Sequence, residues 1–273
     1  MENNIYLDND LLELEGIEEA RTKIWDHYIH NELRVPRVTH IIKQCVDQTN
    51  LIAWAAKVGY SKQNYYRNKA LEIGTAVHEL IDRYLMSKYV YHDEFTVDYS
   101  EYMEDYRSSI YNCIENFKLW CKRLEDNMIN IEVLYIEETV SCPWYAGTID
   151  AILKINGANY IVDFKTSKEI SSEYLLQTSA YMWIINNGYT PHIPHIDGIG
   201  IIRVNKNAHN SFEDLFLNDF DPSNHNMIIN FQNCFASFVN SYYRSININY
   251  LTDIYYNQYI PVEIFNNGES LNE

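Results

Sequence analysis

Asp163 and Lys165, in Ile161-Val162-Asp163-Phe164-Lys165, are the residues of this chain whose types and spacing best suit chemistry. Side chains of a strand alternate between its faces, so residues i and i+2 share one. A carboxylate and an ammonium then stand side by side, while Phe164 turns into the core. Such a pair suits phosphodiester hydrolysis: the acid holds a metal ion, and the lysine orients water or neutralises developing charge. A second carboxylate, Asp150, lies thirteen residues upstream in Gly147-Thr148-Ile149-Asp150.

Between the two aspartates, Asn156-Gly157 is the signature of a two-residue type I′ hairpin. With that turn, Ile155 faces Ala158, and the same register sets Asp150 opposite Asp163. Their Cβ atoms would lie about 4.5–5.5 Å apart, and like charges so placed repel unless a proton or a cation intervenes. Two hard oxygen donors point to Mg²⁺ or Mn²⁺. A slip of one residue would put Asp150 on the other face. The competing reading is two solvated strand-end aspartates, with Lys165 as an ion-pair partner.

The elements that must position these residues follow from pattern. Helices are expected near Leu51–Lys57, Tyr65–Tyr89 and Tyr99–Leu124, then strands near Ile131–Val140, Ala146–Ile155 and Ala158–Phe164. A helix near Ser172–Asn186, a strand near Gly198–Val204 and a helix near Asn226–Tyr243 complete the order. This is an α/β arrangement, a central mixed sheet flanked by helices. The acidic segment Asp8–Leu33 reads as mainly helical, either a regulatory or partner-binding arm or a solvated outer helix, and the tail from Asn266 as disordered. Gly74-Thr75-Ala76-Val77-His78 adds an imidazole that suits a metal, with a glycine allowing close backbone approach. Gln177 and Tyr181 share a helical face at i and i+4, where an amide and a phenol would steady the lysine or bind phosphate. Taken singly, His78 and Tyr181 also fit structural roles.

Taken together, Gly74-x-x-x-His78, Gly147-x-x-Asp150, Asp163-x-Lys165 and Gln177-x-x-x-Tyr181 resemble the ordered motifs of RecB-like nucleases of the PD-(D/E)XK superfamily. Val35-Pro36-Arg37-Val38-Thr39-His40-Ile41-Ile42, with Trp54 after it, is similar to the opening of viral and mitochondrial single-strand exonucleases of that superfamily. The resemblance implies a restriction-endonuclease-like core over residues 34–262, an N-terminal helical arm at 1–33 and a flexible tail at 263–273. It implies Asp150 and Asp163 as principal metal ligands, His78 as a third, and the Phe164 carbonyl as an extra one. Lys165 would activate or position water, with Gln177 and Tyr181 holding the lysine or the scissile phosphate. Glu138 would join through a water or be an ordinary strand carboxylate. Some RecB-like relatives hold an iron–sulfur cluster with one cysteine before these motifs and three after. Here only Cys234 follows Tyr181, so no cluster is expected.

A net charge of −17 argues against a generic nucleic-acid binder, which needs a basic surface. The distribution qualifies this. Residues 34–69 carry seven basic residues against Asp47 alone, a local +6, directly before His78. Arg37, Lys62, Arg67, Lys69 and the later Lys168 are the expected phosphate contacts, and Tyr65 and Tyr66 would stack on unpaired bases. A solvated helical face is the alternative. Met1-Glu2-Asn3-Asn4 lacks a basic region and an apolar run, so no signal peptide is expected. No run approaches a membrane span, and the five cysteines are unpatterned, so a reducing intracellular setting is expected (host cytoplasm for a virus). The Cys113 and Cys121 thiols fall on an apolar helical stripe and read as core. The expected function is a metal-dependent exonuclease on single-stranded or frayed DNA, in replication, recombination or repair, with a helicase or replication partner. A flap or structure-specific endonuclease and a non-cutting binding subunit are the rivals.

Overall fold

The computed structural model describes residues 7–259 except Glu15 and Gln48. Five strands form the central sheet: β3 (Ile131–Ser141), β4 (Ala146–Ile155), β5 (Ala158–Lys165), β6 (Gly198–Val204) and β7 (Phe212–Asn218), in that spatial order. All neighbours are antiparallel except β5 and β6. That parallel step needs a crossover, supplied by α6 (Ser172–Asn186), whose start is capped by the Ser171 side chain accepting from the Glu173 amide. The sheet is therefore mixed and flanked by helices, as its sequence pattern implies.

The Asn156-Gly157 turn forms with both residues at positive φ, 53° and 90°. It sets Ile155 against Ala158 and, four pairs on, Ala151 against Val162, the expected register. β7 had no counterpart in the sequence reading, because Phe212–Asn218 interleaves acids with apolar residues and is only partly buried at the sheet edge.

Alternation along the strands sends side chains into two cores. Ile161, Ile199 and Ile201 pack with α6, with α2 (Val38–Cys45) and with the long final helix α7 (Pro222–Tyr259). Val162, Phe164, Ile202 and Val204 face α4 (Tyr60–Leu85) and α5 (Glu104–Asp126). Cys113 and Cys121 lie wholly inside this second core. A short helix, α3 (Thr49–Val58), precedes α4.

The N-terminal segment differs from the helical expectation. Among its described residues, only α1 (Ile17–Thr22) and a 3-10 turn at Asn9–Leu12 are helical; β1 (His27–His30) and β2 (Leu33–Pro36) form a hairpin around Asn31 and Glu32, both at positive φ. Nor is it an outer arm. Leu7, Leu11, Ile17 and Ile24 join the main core, and buried Arg21 donates to the Pro143 carbonyl (2.7 Å) and the Tyr243 hydroxyl (3.3 Å). Apolar residues spaced among the acids carry that packing, and charge counting hid them. The tail from Asn266 lies outside the described residues, as does the 263–273 boundary. No helix among the described residues is long and apolar enough to cross a membrane.

Candidate metal centre

The β4–β5 ladder ends at Ala151 and Val162, one pair before the two aspartates would face each other. Instead the Asp150 carboxylate reaches across and accepts the Phe164 amide at 2.8 Å, satisfying a donor that the lost ladder leaves open. The strands' ends thus open a gap at which groups from both sheet faces meet. Phe164 itself is fully buried, edge-on to His78 (6.2 Å) and to Phe117 (5.4 Å). Its packing fixes the side of the sheet on which Asp163 and Lys165 stand.

From the α4 side, His78 brings Nδ1 to 3.5 Å from Asp150 Oδ2. Glu137, from β3, completes a cluster: one ligand atom each from His78, Glu137 and Asp150 lie within 4.8 Å of one another. Glu137 adopts a positive φ of 50°, a conformation non-glycine residues seldom hold without a reason in their surroundings. Asp163 is not a member of this cluster. Lys165 Nζ donates to its Oδ1 at 2.7 Å and lies 2.6 Å from its Oδ2, while the ammonium also sits 4.9 Å over the Tyr174 ring of α6. Asp150 thus joins the cluster, while Asp163 engages the lysine and still feels the charges of Asp150 and His78.

The electrostatics reflect crowded charge. Burial would raise the Asp150 carboxyl, but the His78 hydrogen bond, the His78 and Lys165 charges and the Phe164 amide hold it below its ordinary value. Burial, with Asp150 adding, pushes buried Asp163 up to about 6 against the pull of Lys165. For Lys165, burial acts downward and is outweighed by Asp163 and Asp150, so its pKa rises and the ammonium persists. His78 likewise rises: burial lowers it, but the bond and charge of Asp150 prevail. Asp82, one helical turn beyond His78, is pushed up to about 7 by burial and then by the charge of Glu137. Glu137 is raised by burial and by Asp150. One nitrogen and two carboxylates in a zone of mutual repulsion are a donor set a divalent cation fits.

On α6, Gln177 Nε2 donates to the Tyr181 hydroxyl at 3.3 Å. Tyr181 is buried, and Gly147 makes room for it: a Cβ there would meet Tyr181 Cε1 at 2.6 Å and collide with the phenol oxygen. The two motifs are therefore one packing unit. Gly74 is different. Among the described residues a Cβ there would meet only Thr166 Oγ1, at 3.9 Å, so no protein neighbour uses the close approach this glycine allows.

Glu138, the strand carboxylate considered from sequence, turns elsewhere and contacts His192 at 3.0 Å. Its neighbour Glu137 takes the place beside Asp150. The β3 ladder is irregular between Val133 and Tyr135, upstream of both glutamates, and a doublet gives no warning of which one faces the site. Asp82 was legible, since i and i+4 from His78 share a helical face. Of the expected phosphate contacts, Arg37 pairs with Asp26 and lies 5.0 Å over the Tyr28 ring. Lys62, Arg67 and Lys168 are exposed, and Tyr65, Tyr66 and Lys69 line one groove with Trp54. Comparison with protein-family models finds no match, and comparison with curated proteins finds none either.

Proposed function

We propose that this chain is a Mg²⁺- or Mn²⁺-dependent deoxyribonuclease of the RecB-like, PD-(D/E)XK kind, with a restriction-endonuclease-like core. The observation that carries the reading is the convergence of His78, Glu137 and Asp150 beside the buried Asp163–Lys165 pair. His78, Glu137 and Asp150 would hold the ion, with Asp163 available if Lys165 frees one of its oxygens. Bound there, a divalent ion supplies Lewis acidity toward a phosphodiester and makes water a better nucleophile.

The protein's own groups do the rest. Lys165 stays protonated beside Asp163 and Asp150, so it serves as a fixed positive charge and donor toward phosphate oxygens rather than as a base. Asp163 and the Tyr174 ring set where that charge points. Tyr181, seated against Gly147 and joined to Gln177, walls the α6 side and offers a hydroxyl and an amide toward the gap. An exonuclease acting on single-stranded or frayed ends in DNA replication, recombination or repair is the favoured form.

The test is cleavage of end-labelled linear single-stranded DNA with Mn²⁺, wild type against Lys165→Ala. Removing a group that stabilises transition-state charge costs about 10²–10³ in rate. Metal-dependent cleavage lost in the variant supports the reading, and cleavage equal in both sinks the assigned site. Circular single-stranded DNA, which has no ends, left intact supports the exonuclease; cut circles make it an endonuclease.

A further inference from the structure

The cluster of cationic and aromatic side chains between α3, α4 and the segment after β6 lies apart from the metal-binding residues and is not explained by them. Trp54, Tyr65, Tyr66, Lys69 and Lys206 line an open groove of about 830 Å³, and among the described residues no carboxylate lines it. The chain as a whole carries a net charge of −17, while the charged residues lining this groove are the two lysines. The three aromatics are near neighbours, with Tyr65 and Tyr66 ring centres 5.5 Å apart and Trp54 and Tyr66 6.4 Å apart. They do not bury one another: Trp54 is 39% exposed, Tyr65 51% and Tyr66 52%. Rings recruited only for core packing would be covered, as Phe117 and Trp120 are on the same side of the sheet.

We infer that this groove is a base-stacking subsite for an unpaired DNA strand running to the metal centre, an inference that rests on the nuclease reading. Exposed aromatic faces accept any base, because every base has a π-face, and flanking lysines take the phosphates. Lys69 lines the groove and lies 5.3 Å over the Tyr106 ring of α5. Ala70 lines both this groove and the recess holding His78, Glu79, Asp82 and Glu137, so the two adjoin on α4. From Tyr66 to His78 the helix advances twelve residues, roughly 18 Å at its usual rise. That span corresponds to about five nucleotides at a stacked repeat, and fewer if the strand is stretched. Lys206, after β6, was invisible to any reading of the basic 34–69 segment, since only folding brings it to α4.

Binding is measured by fluorescence anisotropy on the full chain in EDTA, so that cleavage plays no part, using labelled oligothymidylate. The Trp54→Ala/Tyr66→Ala double variant should bind at least about tenfold more weakly, given what a stacked base contributes. Trp54→Phe and Tyr66→Phe, which keep a ring, should retain most affinity and serve as the control for altered folding. An abasic oligomer of equal length should lose a similar factor against wild type and nothing further against the double variant. Oligomers shorter than about five nucleotides should not span both sites at a stacked repeat. Unchanged affinity in the double variant, equal binding of the abasic oligomer, or no single-strand binding by wild type overturns the inference. Cleavage with aromatic-independent binding would leave the nuclease and remove the subsite; aromatic-dependent binding without cleavage would do the reverse.

Discussion

Asp82 allows the crowding of charge around the metal centre to be measured in the folded protein without any substrate. Its carboxyl is pushed from 3.8 to about 7, first by burial and then by Glu137, with Asp150 and Glu79 adding and His78 opposing. An acid whose pKa is higher folded than unfolded binds its proton more tightly in the native state. Stability is then full below pH 3.8 and falls as pH rises from there through about 7. At pH 8 the ionised group is a net burden. A shift of this size corresponds to about 4 kcal/mol if fully felt, and water reaching the half-buried carboxyl reduces that to about 1–2 kcal/mol. Asp82→Asn removes the charge with little change of shape. In EDTA at pH 8 its midpoint of thermal unfolding should exceed wild type by roughly 3–6 °C, given about 2–4 °C per kcal/mol for a chain of this size. At pH 4 the two should melt together. The assay is a pair of thermal melts across this range by circular dichroism. A variant no more stable than wild type at pH 8, or an advantage that persists unchanged at pH 4, would refute the electrostatic argument. Mn²⁺ should narrow the gap, because a cation turns the same carboxylate from burden to support.

Mn²⁺ at about a hundredfold over its dissociation constant should stabilise wild type by about 2.7 kcal/mol, or some 5–10 °C. Asp150→Asn or Glu137→Gln should abolish most of that shift, and a Glu137→Gln chain with the full shift would remove Glu137 from the site. Gly147→Ala should displace the Tyr181 ring, lowering stability by about 1–3 kcal/mol and DNA cleavage with it; unchanged melting would mean the packing is slacker than the contact at 2.6 Å indicates. Deleting residues 1–26 should destabilise the protein rather than activate it, because it strips Leu11, Ile17 and Ile24 from the core and removes buried Arg21; a stable, more active truncation, seen by melting and cleavage together, would restore the regulatory-arm reading.

The sequence by itself determined the parts governed by local rules. Asn156-Gly157 dictated a turn that only residues tolerant of positive φ make readily, and the turn dictated the β4–β5 register. Continuous apolar runs and a serine cap placed β6 and α6 at their expected bounds. Strand alternation set Phe164 against Asp163 and Lys165. What tertiary structure decided was everything that depends on where strands part and helices arrive. The β4–β5 ladder ended before Asp150 and Asp163, leaving the Asp150 carboxylate on the Phe164 amide, and Glu137 rather than Glu138 came to stand beside Asp150. The fold also turned the acidic N-terminus into a hairpin and a packed helix, and carried Lys206 to the groove beside Trp54. Periodicity reports which face a residue occupies on its own element. It carries no information about which other element covers that face, and the composition of a site is decided by that second fact.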